Sequence, residues 1–196
     1  MKDTPGTSLP SPEAGSIRAG EGIRKVERVV FDRFENQGET SVDPMQFRET
    51  VSHFATGIAI ITCDDEEGQA HGLAVNCFTS ISLDPPTVLI SLRPGKAHRL
   101  ITRSGWFGAS ILNEDQQGYS AHFGGKPQES FVPDFVVRHR VSTLRKCLAW
   151  FECEIIERIQ LHDHTLFAAK VMQCDVLEGY PLMFYANRYH RQMSAA

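Results

Sequence analysis

Strand-like runs follow one another along this chain with little that is helical between them. GIAIITC (57–63), AHGLAVNCF (70–78), TVLISL (87–92), WFGASIL (106–112), LAWFECEIIERI (148–159), TLFAAKVMQCDV (165–176) and PLMFY (181–185) are rich in β-branched and aromatic residues. The long helical crossovers that a doubly wound parallel sheet requires do not appear between them. A mainly β protein with short helices, its sheet closed into a barrel, is the expected fold. Alternation is clearest where Phe151, Cys153 and Ile155 oppose Glu152, Glu154 and Ile156.

Three short helices are expected. Asp43 is a good N-cap with Pro44 at the first helical position, and Phe47, Val51 and Phe54 follow at helical spacing before Gly57 closes the segment. HRLITRSG (98–105) reads as a helix with a glycine stop, and NEDQQGYSAHFGG (113–125) as one capped by Asn113 and ended by Gly124 and Gly125. Residues 126–146 read as a long loop. Three segments organise the chain: a flexible tail over 1–22, rich in Pro, Gly, Ser and Thr; an extra helix, linker or partner-binding segment over 23–40; and a domain over 41–192.

Several function classes are excluded or disfavoured. A net charge of -4 without a basic run gives no electrostatic case for nucleic acid. No apolar run approaches the roughly 18 residues that span a bilayer, and the N-terminus lacks a signal-peptide core, so a cytoplasmic location is expected. Five cysteines with no C-x-x-C pair speak against a disulfide framework or a zinc site, and a reduced buried cysteine acts as a small hydrophobe. The glycine-rich nucleotide motifs G-x-G-x-x-G and G-x-x-x-x-G-K are absent.

Three stretches can carry chemistry. AVNCFTSISLDPP (74–86) sets Asn76, Thr79, Ser80 and Ser82 in a strand-like run that two prolines end. It is either an ordinary sheet edge or a polar edge that meets a ligand, since buried amides and hydroxyls need partners. RPGKAH (93–98) puts Lys96 at a helix N-terminus, which suits a phosphate as well as a solvated turn. HDHT (162–165) reads as an exposed turn, a substrate-contacting loop, or a pair of metal ligands lacking an obvious third.

The blocks FRETVSHFATGIAIITC, GLAVNCFTSISLDPPTVLISL, SGWFGASILNEDQQ, AHFGG, LAWFECEIIE, HDHTLFAAKV and PLMFYANRY, in that order, resemble the flavin reductase family. These are the reductase components of two-component monooxygenases, with an FMN-binding split β-barrel. The resemblance covers about Asp43 to Tyr189. It implies an NAD(P)H-dependent flavin reductase, using FMN or FAD and NADH or NADPH, that supplies a partner oxygenase and forms a homodimer. It further implies that Ala74, Val75, Asn76, Cys77, Phe78, Ser80 and Ile81 line the flavin, with Cys77 where a serine is common. Gly95, Lys96 and Ala97 would hold the flavin phosphate, although Ala97 has no hydroxyl. His122, Phe123 and Gly124 would lie near the flavin, His122 replacing an arginine. His162, Asp163 and His164 would meet the nicotinamide together with Tyr189, and His164 would orient its ring. Asn187 stands where a glycine is usual. Two other readings accompany this one: a self-contained flavoprotein, and a non-catalytic flavin- or haem-binding module. No metal is expected.

Overall fold

The computed structural model describes residues 42–191. The expected tail over 1–22 and the expected helix or linker over 23–40 lie outside the described residues.

Helix α1 spans Pro44–Ser52, and Asp43 caps it by accepting hydrogen bonds from the Met45 and Gln46 N–H groups at 2.8 and 3.0 Å. It ends five residues before Gly57, because Thr56 and Gly57 form strand β1, which pairs with Met183 and Phe184. No α1 residue is buried; Phe47 and Val51 on its apolar stripe are exposed, as is Phe54 just beyond it.

The main sheet is wholly antiparallel. Its strands are β2 (Ala59–Asp64), β3 (Ala70–Val75), β4 (Thr79–Leu83), β5 (Pro86–Leu92), β6 (Trp106–Ile111), β9 (Ala149–Leu161) and β10 (His164–Val176). They lie in the order β3-β2-β6-β9-β10-β5-β4, so β3 and β4 are the two edges. Only Asn76, Cys77 and Phe78 separate those edges along the chain. Four Cα steps reach at most ~15 Å, whereas six strand spacings in a flat sheet would cover ~29 Å. The sheet must therefore curl until its edges meet. They do not pair with each other, which leaves the barrel split. The fold is a split β-barrel with short helices.

Helices α2 (Lys96–Ser104) and α3 (Gln117–Phe123) complete the helical content among the described residues. Gly105, at φ 75°, stops α2. Asn113 does not cap α3: its side chain accepts from the Asp115 N–H in a local turn, and the helix starts at Gln117. Within the expected loop 126–146 lies a hairpin, β7 (Phe135–Val137) with β8 (Ser142–Leu144). β8 is fully buried, so it packs as core despite two hydroxyl residues. The Leu144 N–H donates to Ser110 Oγ, and Thr62 Oγ1 donates to the Ser142 carbonyl. A second hairpin, β11 (Met183–Tyr185) with β12 (Arg188–His190), joins β1 in a three-stranded sheet.

Apolar side chains fill both faces of β2. Ala59, Ile61 and Cys63 enter the barrel with Ile90, Phe107 and Phe167, while Ile58 and Ile60 face outward onto Leu112, Leu144 and Leu182. Burial on both faces explains why GIAIITC reads as a continuous apolar run. On β9 the expected alternation is only half kept. Cys153 is in the barrel, yet Glu152 on the opposite face is 1% exposed. The β7–β8 turn covers it, with the His139 ring Nδ1 at 3.3 Å and the Arg140 N–H donating at 3.1 Å.

Candidate functional site

The stretch 74–81 is not one strand. Ala74 and Val75 end β3, residues 76–78 cross the split, and Ser80 and Ile81 lie in β4 on the far edge. Asn76, Thr79, Ser80 and Ile81 are exposed, so the polar groups of this run stand open rather than buried. Phe78 turns into the barrel against Phe151, with ring centroids 5.1 Å apart. Cys77 accepts the Ser91 N–H and donates to the Ser91 carbonyl, which ties the crossover to β5. The prolines do not end pairing: a cis Asp84–Pro85 bond makes the turn, and Leu83 pairs with Pro86.

Three cavities meet at Asn76. One, ≈ 390 Å³, lies between the α1–β2 connection and residues 76–79. Another, ≈ 600 Å³, runs from Ala74–Asn76 past Ser120 and Gly124 of the α3 region to Tyr189 of β12. The third, ≈ 370 Å³, lies between the exposed side of α1 and Asn187. Asn187, at φ 59°, and Ala186, at φ 48°, form the two-residue β11–β12 turn. The Ala186 N–H donates to the Ser52 carbonyl at 2.8 Å, anchoring the turn on α1.

At the start of α2, Gly95 is the N-cap and offers no side chain to the first-turn N–H groups. Those N–H groups have no side-chain cap and are donors of the kind that bind an anion, and Lys96 is the first residue of the helix. Ala97 packs on the same barrel core as Phe78 and Val75, and its carbonyl accepts from Cys63 Sγ at 3.9 Å.

The HDH segment is the tip of the β9–β10 hairpin. His162 occupies the left-handed region at φ 51°, where a glycine would sit without strain. Asp163 accepts from Arg93 Nη2 at 2.6 Å and Nε at 3.1 Å, and from His164 Nδ1 at 2.8 Å. The His164 hydrogen bond, and then the Arg93 guanidinium, hold its carboxyl well below the ordinary range, at about 2. Nδ1 of His164 is thus the donor, leaving Nε2 free. Behind it, Thr165 Oγ1 donates to Gln160 Oε1, so His98 Nε2 must carry the proton it shares with Thr165 at 2.8 Å. Gln160 in turn donates to the His162 carbonyl. Among the described residues no three His, Cys, Asp or Glu side chains are placed to hold a metal ion.

The flavin reductase-like domain model matches residues 51–192 of this chain. The chain belongs to the flavin reductase family. It is 48% identical over 153 residues to an NADH-dependent flavin reductase, StyB, of Pseudomonas fluorescens, covering 76% of this chain and 90% of that protein. It is 30% identical over 151 residues to the reductase component of a 4-nitrophenol 4-monooxygenase/4-nitrocatechol 2-monooxygenase of Rhodococcus opacus, covering 76% of this chain and 80% of that protein. The styrene monooxygenase flavin reductase SMOB of Pseudomonas putida S12 superposes with a TM-score of 0.73 at 47% identity, over 76% of this chain and 99% of that one.

The donors present suit a flavin. Exposed amide and hydroxyl groups along 76–80 match the polar edge of the ring, and the uncapped α2 turn with Lys96 matches a phosphate. For a flavin reductase, the expected residues fall into two groups. Residues 74–81 run through the crossover and residues 95–97 form the α2 turn, while Tyr189 and Gly124 line the ≈ 600 Å³ cavity at its Ala74–Asn76 end. His122 and Phe123 point elsewhere: His122 Nδ1 accepts the Gln128 N–H at 3.2 Å, and the Phe123 ring lies over Gly72, where a Cβ would come within 2.7 Å. The His162–His164 tip and Tyr189 do not share a cavity among those described. Arg48, Gln117, Ser120 and Lys126 line the large cavity and carried no sequence signal, since α1 and the α3 region meet only in the folded chain.

Proposed function

We propose that this chain oxidises NADH and passes the electrons to a diffusible flavin, FMN or FAD, for use by a separate flavin-dependent monooxygenase. The 48% identity to an NADH-dependent flavin reductase, over nine-tenths of that protein, carries the reading. A partner like the styrene monooxygenase that SMOB serves is supported by the 47% identity to SMOB. The exposure of Asn76, Thr79 and Ser80 favours a flavin that comes and goes over one held permanently.

When both are bound, the nicotinamide supplies a hydride from C4 and the flavin takes it at N5. The protein's work is alignment. Residues 74–81 hold the ring edge; Lys96 and the α2 N–H groups hold the flavin phosphate. His164, its Nδ1 committed to Asp163, presents Nε2 for orienting the nicotinamide. No side-chain acid or base is required, in keeping with the absence of a carboxylate pair among the described residues at the crossover.

A homodimer is part of this proposal. Nine residues make a helix too short to hold itself in water, and α1 exposes Met45 (70%), Phe47 (61%) and Val51 (50%), with Phe54 (76%) beyond it. A second copy would cover that face and wall the cavities around Asn76. Light scattering on the full chain reads this directly.

Purified protein mixed with NADH and FMN or FAD, followed at the nicotinamide absorbance, tests the activity. Oxidation should depend on added flavin; none above the flavin-free background would overturn the reading. Lys96→Ala should raise the flavin KM more than the NADH KM.

A further inference from the structure

The turn that leads into His164 is strained, and a line of side chains holds it. Leu161 pairs with His164 in the β9–β10 ladder, so His162 and Asp163 are the two central residues of the hairpin turn. Of the two, only His162 has a positive φ, 51°. That pattern favours glycine at the first central position, because a Cβ there crowds the backbone. A histidine in its place persists where the surroundings over-determine it.

Three hydrogen bonds, all donated in one direction, run from α2 to that residue. His98 Nε2 donates to Thr165 Oγ1, Thr165 Oγ1 to Gln160 Oε1, and Gln160 Nε2 to the His162 carbonyl, each at 2.8 Å. The line starts on the barrel core. The His98 ring stands edge-on to the buried Phe167, with centroids 5.3 Å apart, and Thr165 is itself buried. It ends on exposed residues, His162 and then Asp163. Arg93 fixes Asp163 from a second side, and the line from His98 fixes the residue before it.

We propose that His98, Thr165 and Gln160 are positioning residues for hydride transfer, holding the His162 backbone so that His164 presents Nε2 to the nicotinamide. The inference rests on the reading of His164 as the residue that orients that ring. Thr165 and Gln160 each accept one bond and donate the next, so removing either breaks the line and leaves its neighbours unpaired.

Initial rates with NADH and FMN test it. Gln160→Leu should lower kcat/KM for NADH about fivefold, the worth of one or two hydrogen bonds, with the FMN KM unchanged. In a His162→Gly background, where the turn is unstrained, the same change should cost less than about twofold. Thr165→Val should act as Gln160→Leu does, and Thr165→Ser should restore the rate. His98→Gln keeps an N–H donor and should do better than His98→Phe. A thermal melt by circular dichroism checks that the variants fold. An unchanged kcat/KM in Gln160→Leu, or an equal loss in the glycine background, would overturn the proposal. His164→Ala tests the reading beneath it: an unmoved kcat/KM for NADH would show that His164 does not orient the ring. Carbon-13 NMR of the Asp163 carboxyl then still reads the hold on the tip. Gln160→Leu should raise its midpoint by loosening the bond from His164, and a midpoint that stays would overturn the proposal.

Discussion

The Cys77 sulfur lies 3.2 Å from the Ser91 carbonyl oxygen and 3.3 Å from the Ser91 nitrogen. In the β4–β5 register Thr79 faces Leu89 and Ser80 faces Val88, so two more residues would set Cys77 opposite Ser91. The backbone ladder stops at Thr79, and the thiol takes over its last pair. Burial pushes the Cys77 thiol up from its ordinary value, so it keeps the proton that it donates. Cys77 thus serves the barrel's closure.

Cys77→Ala should cost about 1–2 kcal/mol, because the Ser91 groups lose their partner, and should raise the flavin KM by loosening the crossover. Cys77→Ser keeps a donor and an acceptor and should stay within about 1 kcal/mol. Urea unfolding monitored by tryptophan fluorescence separates the two.

Gly108 faces the β7–β8 hairpin, and a Cβ there would collide with the Ser142 carbonyl and Thr62 Oγ1. Backbone cannot yield as a flexible side chain can. Gly108→Ala should therefore destabilise the protein by about 2 kcal/mol or more, read as a lowered midpoint in the same unfolding experiment.

Asp163 should titrate far below an ordinary aspartate. Its folded value, about 2, lies under the ordinary 3.8 of an aspartate, so the stabilisation it adds is complete above 3.8 and fades as pH falls toward 2. Carbon-13 NMR of the side-chain carboxyl reads the midpoint. His164→Ala should raise it, since that hydrogen bond is the largest cause; a midpoint unmoved by the substitution would count against the Asp163–His164 pair.

Of the five cysteines, only Cys174 is exposed, and burial pushes the Cys63 thiol up to about 12. Ellman's reagent at pH 8 should titrate one thiol rapidly in the native protein and all five after unfolding.

The β-rich class, the short helices and the Asp43–Pro44 helix start were legible because each rests on local chemistry: alternation, β-branching and caps. Residues 126–146 were not legible as a hairpin. Ser142 and Thr143 look like loop residues, and their burial depends on partners met only in the fold: the Ser142 carbonyl accepts from Thr62 Oγ1, Thr143 Oγ1 accepts from Arg138 Nε, and Leu144 beside them donates to Ser110 Oγ. Asn187 at a usual glycine position took the positive φ that an asparagine tolerates; Ala186 beside it gave no such sign and depends on its bond to Ser52.

For the site, the sequence alone determined which stretches are chemically unusual: the polar run 74–82, the Lys96 turn and the HDH tip. Only the tertiary structure decided that 74–82 joins the two edges of one sheet, since three residues can link those edges only when the sheet has closed. It alone brought Arg48, Lys126 and Tyr189 to one cavity, because they stand on α1, after α3 and on β12, far apart in the chain. Local propensity acts over a few residues; charge and shape in a cavity depend on all the chain that surrounds it.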